Sequence, residues 1–224
     1  MHPLDHPIWH ALTSTHSALA QGGARARRYP PEIAPFADMA DMSPESFAAL
    51  GALMAPSDFV VLFTPEAVSP PPAFKILLAR TLEQMVGTPA DAPAAADIVT
   101  LGAADVPDMM ELTKLTNPGP FVARTHELGN FLGIRTGGQL VAMTGERMKP
   151  GKHTEITAVC VHPDHRRQGY AQALLGAVGR GIAARGEIPF LHVFSDNDSA
   201  IALYRRQGME NRRRLCVTML GRAA

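Results

Sequence analysis

The stretch from Glu155 to Ala171, EITAVCVHPDHRRQGYA, constrains the fold of this chain more than any other. It opens with Glu155–Val161, rich in β-branched residues and stopped by His162-Pro163-Asp164, so the spacing predicts a buried strand. Beyond the turn, apolar residues fall at Ala171, Leu174, Leu175, Val178 and Ile182, a helical stripe and not a strand alternation. Between the two lies Arg166-Arg167-Gln168-Gly169-Tyr170-Ala171. A glycine-containing turn that opens a helix leaves several backbone N–H groups unpaired and pointing the same way, which makes an anion site. Gly169 and the small Ala171 let a phosphate approach the backbone closely. The chemistry expected here is the binding of a pyrophosphate.

The chain downstream continues the pattern. Pro189–Ser195 reads as the next strand and Asn197–Gln207 as a helix, with Asn197 or Asp198 as N-cap. Arg205 and Arg206 fall in its last turn and Gly208 ends it. With these elements in place, Arg166-x-x-Gly169-x-Ala171 resembles the (Gln/Arg)-x-x-Gly-x-(Gly/Ala) acyl-CoA motif of the GCN5-related N-acetyltransferases. Val161-x-Pro163-x-x-Arg166 and Asn197…Ala200-Ile201-Ala202-Leu203-Tyr204…Gly208-Met209 resemble the same superfamily. The resemblance implies an α/β (α+β) acyl-CoA N-acyltransferase fold, a mixed central sheet flanked by helices. It implies acetyl-CoA as cosubstrate and no metal. It also implies cofactor contacts at Val159, Cys160 and Val161 of the strand, at Arg166, Arg167, Gln168, Gly169, Tyr170 and Ala171 of the loop, and at Asn197.

Composition narrows the class. The 224 residues are 46% hydrophobic and 19% charged, which is globular and not disordered. Twenty-one Lys and Arg balance 21 Asp and Glu, arguing against nucleic-acid or anionic-membrane partners. The basic runs Arg25–Arg28 and Arg212–Arg214 read as solvated faces. Cys160 and Cys216 fall in predicted strands, so free thiols are expected and not a disulfide framework. MHPLDHPIWH lacks a basic n-region followed by an apolar h-region, and no segment approaches a membrane span, so a cytoplasmic protein, monomer or homodimer, is expected.

Organisation changes near residue 90. Thr88–Ala96, rich in Pro and Ala, reads as a linker between an N-terminal α/β extension, 1–94, and an acetyltransferase domain, 95–224. The expected elements after it are a strand at Asp97–Leu101, helices at Ala103–Leu115 and Phe121–Leu128, and strands at Phe131–Arg135 and Leu140–Met148 around the turn Thr136-Gly137-Gly138-Gln139. The order β-α-α-β-β-β-α-β-α-β is that of the family resembled. Arg124-Thr125-His126-Glu127-Leu128-Gly129-x-Phe131-x-Gly133 and Gly145-Glu146-Arg147 resemble its FR47-like branch. That branch implies an N-terminal extension, a shortened relative of the same fold. The first ninety residues predict helices at His6–Ala20 and Pro44–Met54, a strand at Phe59–Phe63 and another at Phe74–Ala79. Gly176, Gly179 and Gly181 weaken the motif helix and are expected to permit close helix–sheet packing.

Acetyl transfer to an amine needs a neutral nucleophile, hydrogen-bond donors at the thioester oxygen and a proton donor at the departing thiolate. The strand that ends at Val161 is expected to supply backbone donors. Glu155 stands eleven residues before Arg166, the spacing of the base glutamate in the histone-acetyltransferase branch of the family resembled. On a regular strand Glu155, Thr157, Val159 and Val161 share one face, where apolar neighbours would raise a carboxylate pKa. A water chain in place of Glu155, and a strand-start glutamate exposed at a sheet end or paired with an arginine, are the open alternatives. The resemblance places Tyr204 where its hydroxyl serves as general acid, while Asn197 contacts coenzyme A or caps its helix. His192 reads as a core or cleft histidine, and Glu127 and Glu146 as residues near the substrate side. His162-x-x-His165 is not read as a metal pair, because Pro and Asp fill its interior. The function expected is acetyl transfer from acetyl-CoA to a primary amine of a small molecule by direct attack in a ternary complex. A peptide or protein N-terminus as acceptor, and an acyl-CoA-binding module without turnover, are the alternatives.

Overall fold

The computed structural model describes residues 2–91 and 97–223. In chain order its elements are α1 (Pro7–Thr13), β1 (Gln21–Gly22), β2 (Ala26–Arg28), β3 (Ala37–Met39), α2 (Pro44–Ala52), β4 (Phe59–Thr64) and β5 (Phe74–Val86). There follow β6 (Ile98–Leu101), α3 (Val106–Thr116), β7 (Phe131–Thr136), β8 (Gln139–Glu146), β9 (His153–Val161), α4 (Tyr170–Ala184), β10 (Ile188–Phe194), α5 (Asp198–Arg206) and β11 (Glu210–Arg222).

Eight strands form one sheet in the order β4-β11-β5-β10-β9-β8-β7-β6, and β1-β2-β3 form a small second one. In the large sheet only β9 and β10 run parallel, joined by the crossover through α4. Leu4, Ile8, Leu12, Tyr29, Phe36 and Phe63 pack α1 and its flanking loops on one face, and α3 packs through Met109 and Leu112 with Met143, Ala158 and Cys160. The other face carries α4 and α5, through Leu175, Val178, Ile182, Ile201 and Tyr204, and α2 beside β4 and β11.

The expected mixed sheet flanked by helices is therefore the observed one. Gly137 (φ 57°) and Gly138 (φ 86°) close the β7–β8 hairpin with the paired positive φ angles of a two-residue turn. Three expectations are corrected. The first helix ends at Thr13, where the Thr13 and Ser14 hydroxyls donate to the backbone carbonyls of Trp9 and His10 and compete with the helix ladder. The helix expected at Phe121–Leu128 is reduced to a 3-10 turn at Thr125–Leu128 between Pro118-Gly119-Pro120 and Gly129. The strand expected to end at Ala79 runs on to Val86. Leu82, Glu83, Gln84 and Met85 are all buried there, because β10 and β11 flank the strand on both sides.

Residues 92–96 of the expected linker, and with them the 94/95 boundary, lie outside the described residues. Its earlier part is fastened: the Ala90 N–H donates to the Gln207 carbonyl at 2.7 Å. An ideal Cβ on Gly179 would come within 2.6 Å of Pro89, so Gly179 admits this loop and not the sheet, while a Cβ on Gly181 would meet open space. Neither glycine therefore serves the expected helix–sheet approach.

Candidate active site

Ile188, Pro189 and Phe190 of β10 pair with His153, Thr154 and Glu155 of β9, and the pairing stops there. Beyond it β10 follows β5 while β9 follows β8, so the two strands diverge. A cleft of about 1190 Å³ opens between them, lined by Ile156–Val159 on one side and Leu191–Phe194 on the other. It passes through the sheet. Asn197, Ala200 and Tyr204 line it from the α4–α5 face. From the other face Phe36 and Phe63 line it, together with the loop after α3.

A β-bulge shapes the β9 wall. Gly145 pairs with Thr157 and Met143 with Cys160, leaving Thr144 opposite two residues, and Ala158 takes a left-handed φ of 52°. The bulge breaks the alternation on which the sequence reading relied. Glu155 faces the α1–α3 side, whereas Val159 packs with the α4–α5 cluster and Val161 with Tyr170 and Leu174. Cys160 points to α3 and is buried, which pushes its thiol up to about 11, and Cys216 is also a free thiol.

Glu155, the last paired residue before the divergence, is fully buried and not among apolar neighbours. Arg147 clamps it, Nε donating to Oε2 at 2.7 Å and Nη2 to Oε1 at 2.8 Å. His192 Nδ1 lies 2.7 Å from Oε1. The raised pKa expected of Glu155 is thus reversed: burial pushes it up, but the charge and hydrogen bonds of Arg147, with the bond from His192, hold it well below the carboxylate range. The pairing of neighbours fixes the histidine tautomer. Gln84 Oε1 accepts from Arg212 and Gln84 Nε2 donates to the Leu4 carbonyl at 2.8 Å, so the remaining N–H of Nε2 faces His192 Nε2 at 3.0 Å. His192 therefore donates from Nδ1 and accepts at Nε2, with Phe63 and Phe190 packed edge-on against it.

Beyond the end of β9, α4 begins at Tyr170 with Gly169 as N-cap at φ 78° and Arg167 at φ 63°. The N–H groups of 167–172 have no acceptor among the described residues. Arg166–Gly169 are exposed, while the Tyr170 ring is buried with Ile134, Val141 and Leu174, so only its backbone is available to a ligand. The loop fits the diphosphate expected of it: free donors, a left-handed glycine and two guanidinium groups. Asn197 caps α5, its side chain accepting from the Ala200 N–H at 3.2 Å, and also lines the cleft. Tyr204 is 8% exposed and lines the cleft, its hydroxyl without a hydrogen bond among the described residues, and burial raises its pKa to about 12.

Sequence reasoning missed Arg147, Gln84 and the Phe36 ring under the Arg147 guanidinium at 4.5 Å. Arg147 stood in the quoted Gly145-Glu146-Arg147 string, where only Glu146 drew notice. Glu146 is instead buried against Lys149 and Arg185, and Glu127 pairs with Arg124 at the surface. Neither lines the cleft.

A sequence model of the FR47-like protein family matches residues 131–217. A crystal structure of a GNAT-family protein from Novosphingobium aromaticivorans is 38% identical, with both chains covered in full and a TM-score of 0.92. The chain belongs to the GNAT family. Its FR47-like segment spans the hairpin, the diverging strands and most of β11. A GCN5-related N-acetyltransferase from Kribbella flavida shares the fold at 16% identity, with 97% and 96% of the two chains covered and a TM-score of 0.65. The N-alpha-acetyltransferase RimI of Mycobacterium tuberculosis is 32% identical over 127 residues, which is 50% of this chain and 78% of that protein. An uncharacterised protein of Mycobacterium leprae is 33% identical over 171 residues, and the match takes 69% of this chain but 45% of the longer relative. No helix of the described residues is long and apolar enough to cross a membrane.

Proposed function

We propose that this GNAT protein moves an acetyl group from acetyl-CoA to a primary amine of a small molecule by direct attack in a ternary complex. The observation that carries the reading is the cleft through the sheet between β9 and β10, with a walled chamber on one face and the free N–H groups that open α4 following the end of the same β9. Acetyl-CoA supplies the activated acyl group. Arg166, Arg167 and the N–H groups through Ala171 hold the diphosphate. Along Val159, Cys160 and Val161 the edge of β9 that faced β10 has lost its strand partner, while the other edge still pairs with β8, so the N–H groups of alternate residues are free for the pantetheine and the acyl oxygen.

Tyr204 acts at the sulfur. Burial raises its pKa to about 12, so the hydroxyl is neutral and meets the departing sulfur as a proton or hydrogen-bond donor. Glu155 is a positioning residue: its ionised carboxylate fixes Arg147 and His192 beside the cleft. Both nitrogens of His192 are engaged as well, so the ammonium proton leaves through solvent in the cleft, the water route left open by the sequence. Residues 97–222 carry both diverging strands, and residues 2–91 complete the sheet and wall the acceptor chamber.

The test incubates purified protein with acetyl-CoA and a metabolite extract and searches for acetylated products by mass spectrometry against a heat-killed control. An acetylated small amine formed only by active protein supports the proposal. Acetyl-CoA binding without any product removes it. The likeness to RimI favours a second reading, a peptide N-terminus as acceptor. Acetylation of N-terminal peptides and of no small amine would establish that reading instead.

A further inference from the structure

We propose that the acceptor carries a carboxylate beside its amine, and that the free edge of Arg147 binds it. The inference rests on the acetyl-transfer reading and names the substrate class: amino acids with an apolar or aromatic body.

Arg147 is 6% exposed and lines the cleft on the α1–α3 face. A guanidinium has two edges that match a carboxylate, and Glu155 occupies one through Nε and Nη2. Nη1 makes no hydrogen bond among the described residues and is not sealed from the cleft. Phe36 covers one face of the group at 4.5 Å. Buried N–H groups take a partner wherever one is to be had, and Val61, Phe63, Leu82 and Val217, which line the same cleft, offer no side-chain acceptor. A ligand carboxylate would complete the guanidinium.

Charge balance narrows the class further. Of the cations lining the cleft, Arg147 is matched by Glu155, Arg28 by Asp58 at 2.7 Å and Arg80 by Asp196 at 2.6 Å. Glu111 and Lys114 lie three residues apart on α3. No acidic excess exists to hold a polyamine, and no cationic excess to hold a bare anion. A zwitterion with an apolar side chain suits a balanced, apolar chamber that has one unused pair of N–H donors.

The experiment measures acetyl transfer by the wild-type protein to amino acids with apolar side chains, each beside its amide and its decarboxylated amine. The amino acid should exceed both relatives in kcat/KM by about 10- to 100-fold, mostly through KM, the range of one charge-assisted hydrogen bond. The matching carboxylic acid without the amine should compete with the amino acid and not with acetyl-CoA. Arg147→Lys, which keeps a charge for Glu155 but lacks the second edge, should bring the preference towards one. Equal or better use of the decarboxylated amines overturns the inference and leaves acetyl transfer standing. So does turnover of extract amines with none of the amino acids. If acetyl-CoA binds and no amine of any kind is acetylated, acetyl transfer itself falls, and the inference with it.

Discussion

Glu155→Gln separates a base from a positioning residue. The amide keeps the shape and can still accept from His192, but it removes the only charge opposite Arg147 and turns one N–H group towards other donors. Breaking a buried ion pair from one side leaves the other charge uncompensated, at about 3–5 kcal/mol. That is a large share of the roughly 5–15 kcal/mol that holds a domain folded. Across 224 residues, at about 2.1 cal/mol/K each, it corresponds to a fall in Tm of roughly 6–11 °C.

Thermal and urea unfolding, followed from pH 7.5 down to pH 4, are the assays. Because the folded pKa of Glu155 lies below its unfolded value of 4.5, its contribution is complete above that value and fades as pH falls through it towards the folded pKa. Wild type and variant should therefore differ most near neutrality and begin to converge below about pH 5. At neutrality the variant should lose turnover, while the wild-type pH–rate profile should follow the pKa of the acceptor amine when acceptors are changed. A variant as stable as wild type to within about 0.5 kcal/mol, with turnover lost and a pH limb removed, would refute the positioning role and restore Glu155 as base.

Tyr204→Phe removes a hydroxyl that has no hydrogen-bond partner among the described residues, so stability should stay within about 0.5 kcal/mol while kcat falls about 10- to 100-fold, with acetyl-CoA affinity little changed by calorimetry. An unchanged rate would reduce Tyr204 to packing. Gly169→Val forces a β-branched residue into φ 78° and should cut acetyl-CoA affinity at least 10-fold with the circular dichroism spectrum retained, whereas Gly169→Asn should keep more. Gly181→Ala places a methyl in open space on a helix and should raise stability by about 0.5–1 kcal/mol in urea titrations. His16 is held neutral, its pKa lowered to about 4 by burial and the Lys149 charge, so the unfolded chain binds the extra proton between pH 6.5 and 4. Wild type should lose up to about 3 kcal/mol more than His16→Gln on acidification across that window.

The part of the molecule that follows local rules was legible in the sequence. The β9–α4 unit, the Gly137-Gly138 hairpin and the cap at Asn197 each depend on residues within a few positions of one another, and each stands where the pattern put it. Ala158 was not legible, because an alanine gives no sign of a left-handed φ, and one bulged residue exchanges the faces of everything after it. The surroundings of Glu155 were misjudged for a related reason. Its neighbours in sequence are apolar, but its neighbours in space are Arg147 from the preceding hairpin and His192 from the next strand. The strand expected at Phe74–Ala79 stopped short of the buried Glu83-Gln84, since nothing local reveals that β5 lies between two other strands.

That placement of β5 explains why the cofactor loop says so little about the acceptor. Residues 74–86 enter the sheet between β10 and β11, so Leu82 and Gln84 become floor and brace of a chamber whose other wall is made by α3 and its following loop. Gln84 then ties three distant segments to the divergence point: the Leu4 carbonyl, Arg212 of β11, and His192. Arg212 in turn pairs with Asp5 at 2.7 Å. The first turn of the chain is thus three hydrogen bonds away from the carboxylate of Glu155, through Gln84 and His192. Diphosphate recognition needs only a turn and a helix start, which β9 and α4 provide by themselves. On the proposed reading, acceptor recognition draws on Arg147, Phe36 and the β4–β11–β5 face together, and so on the segment before residue 90 as much as on the motif that marks the family.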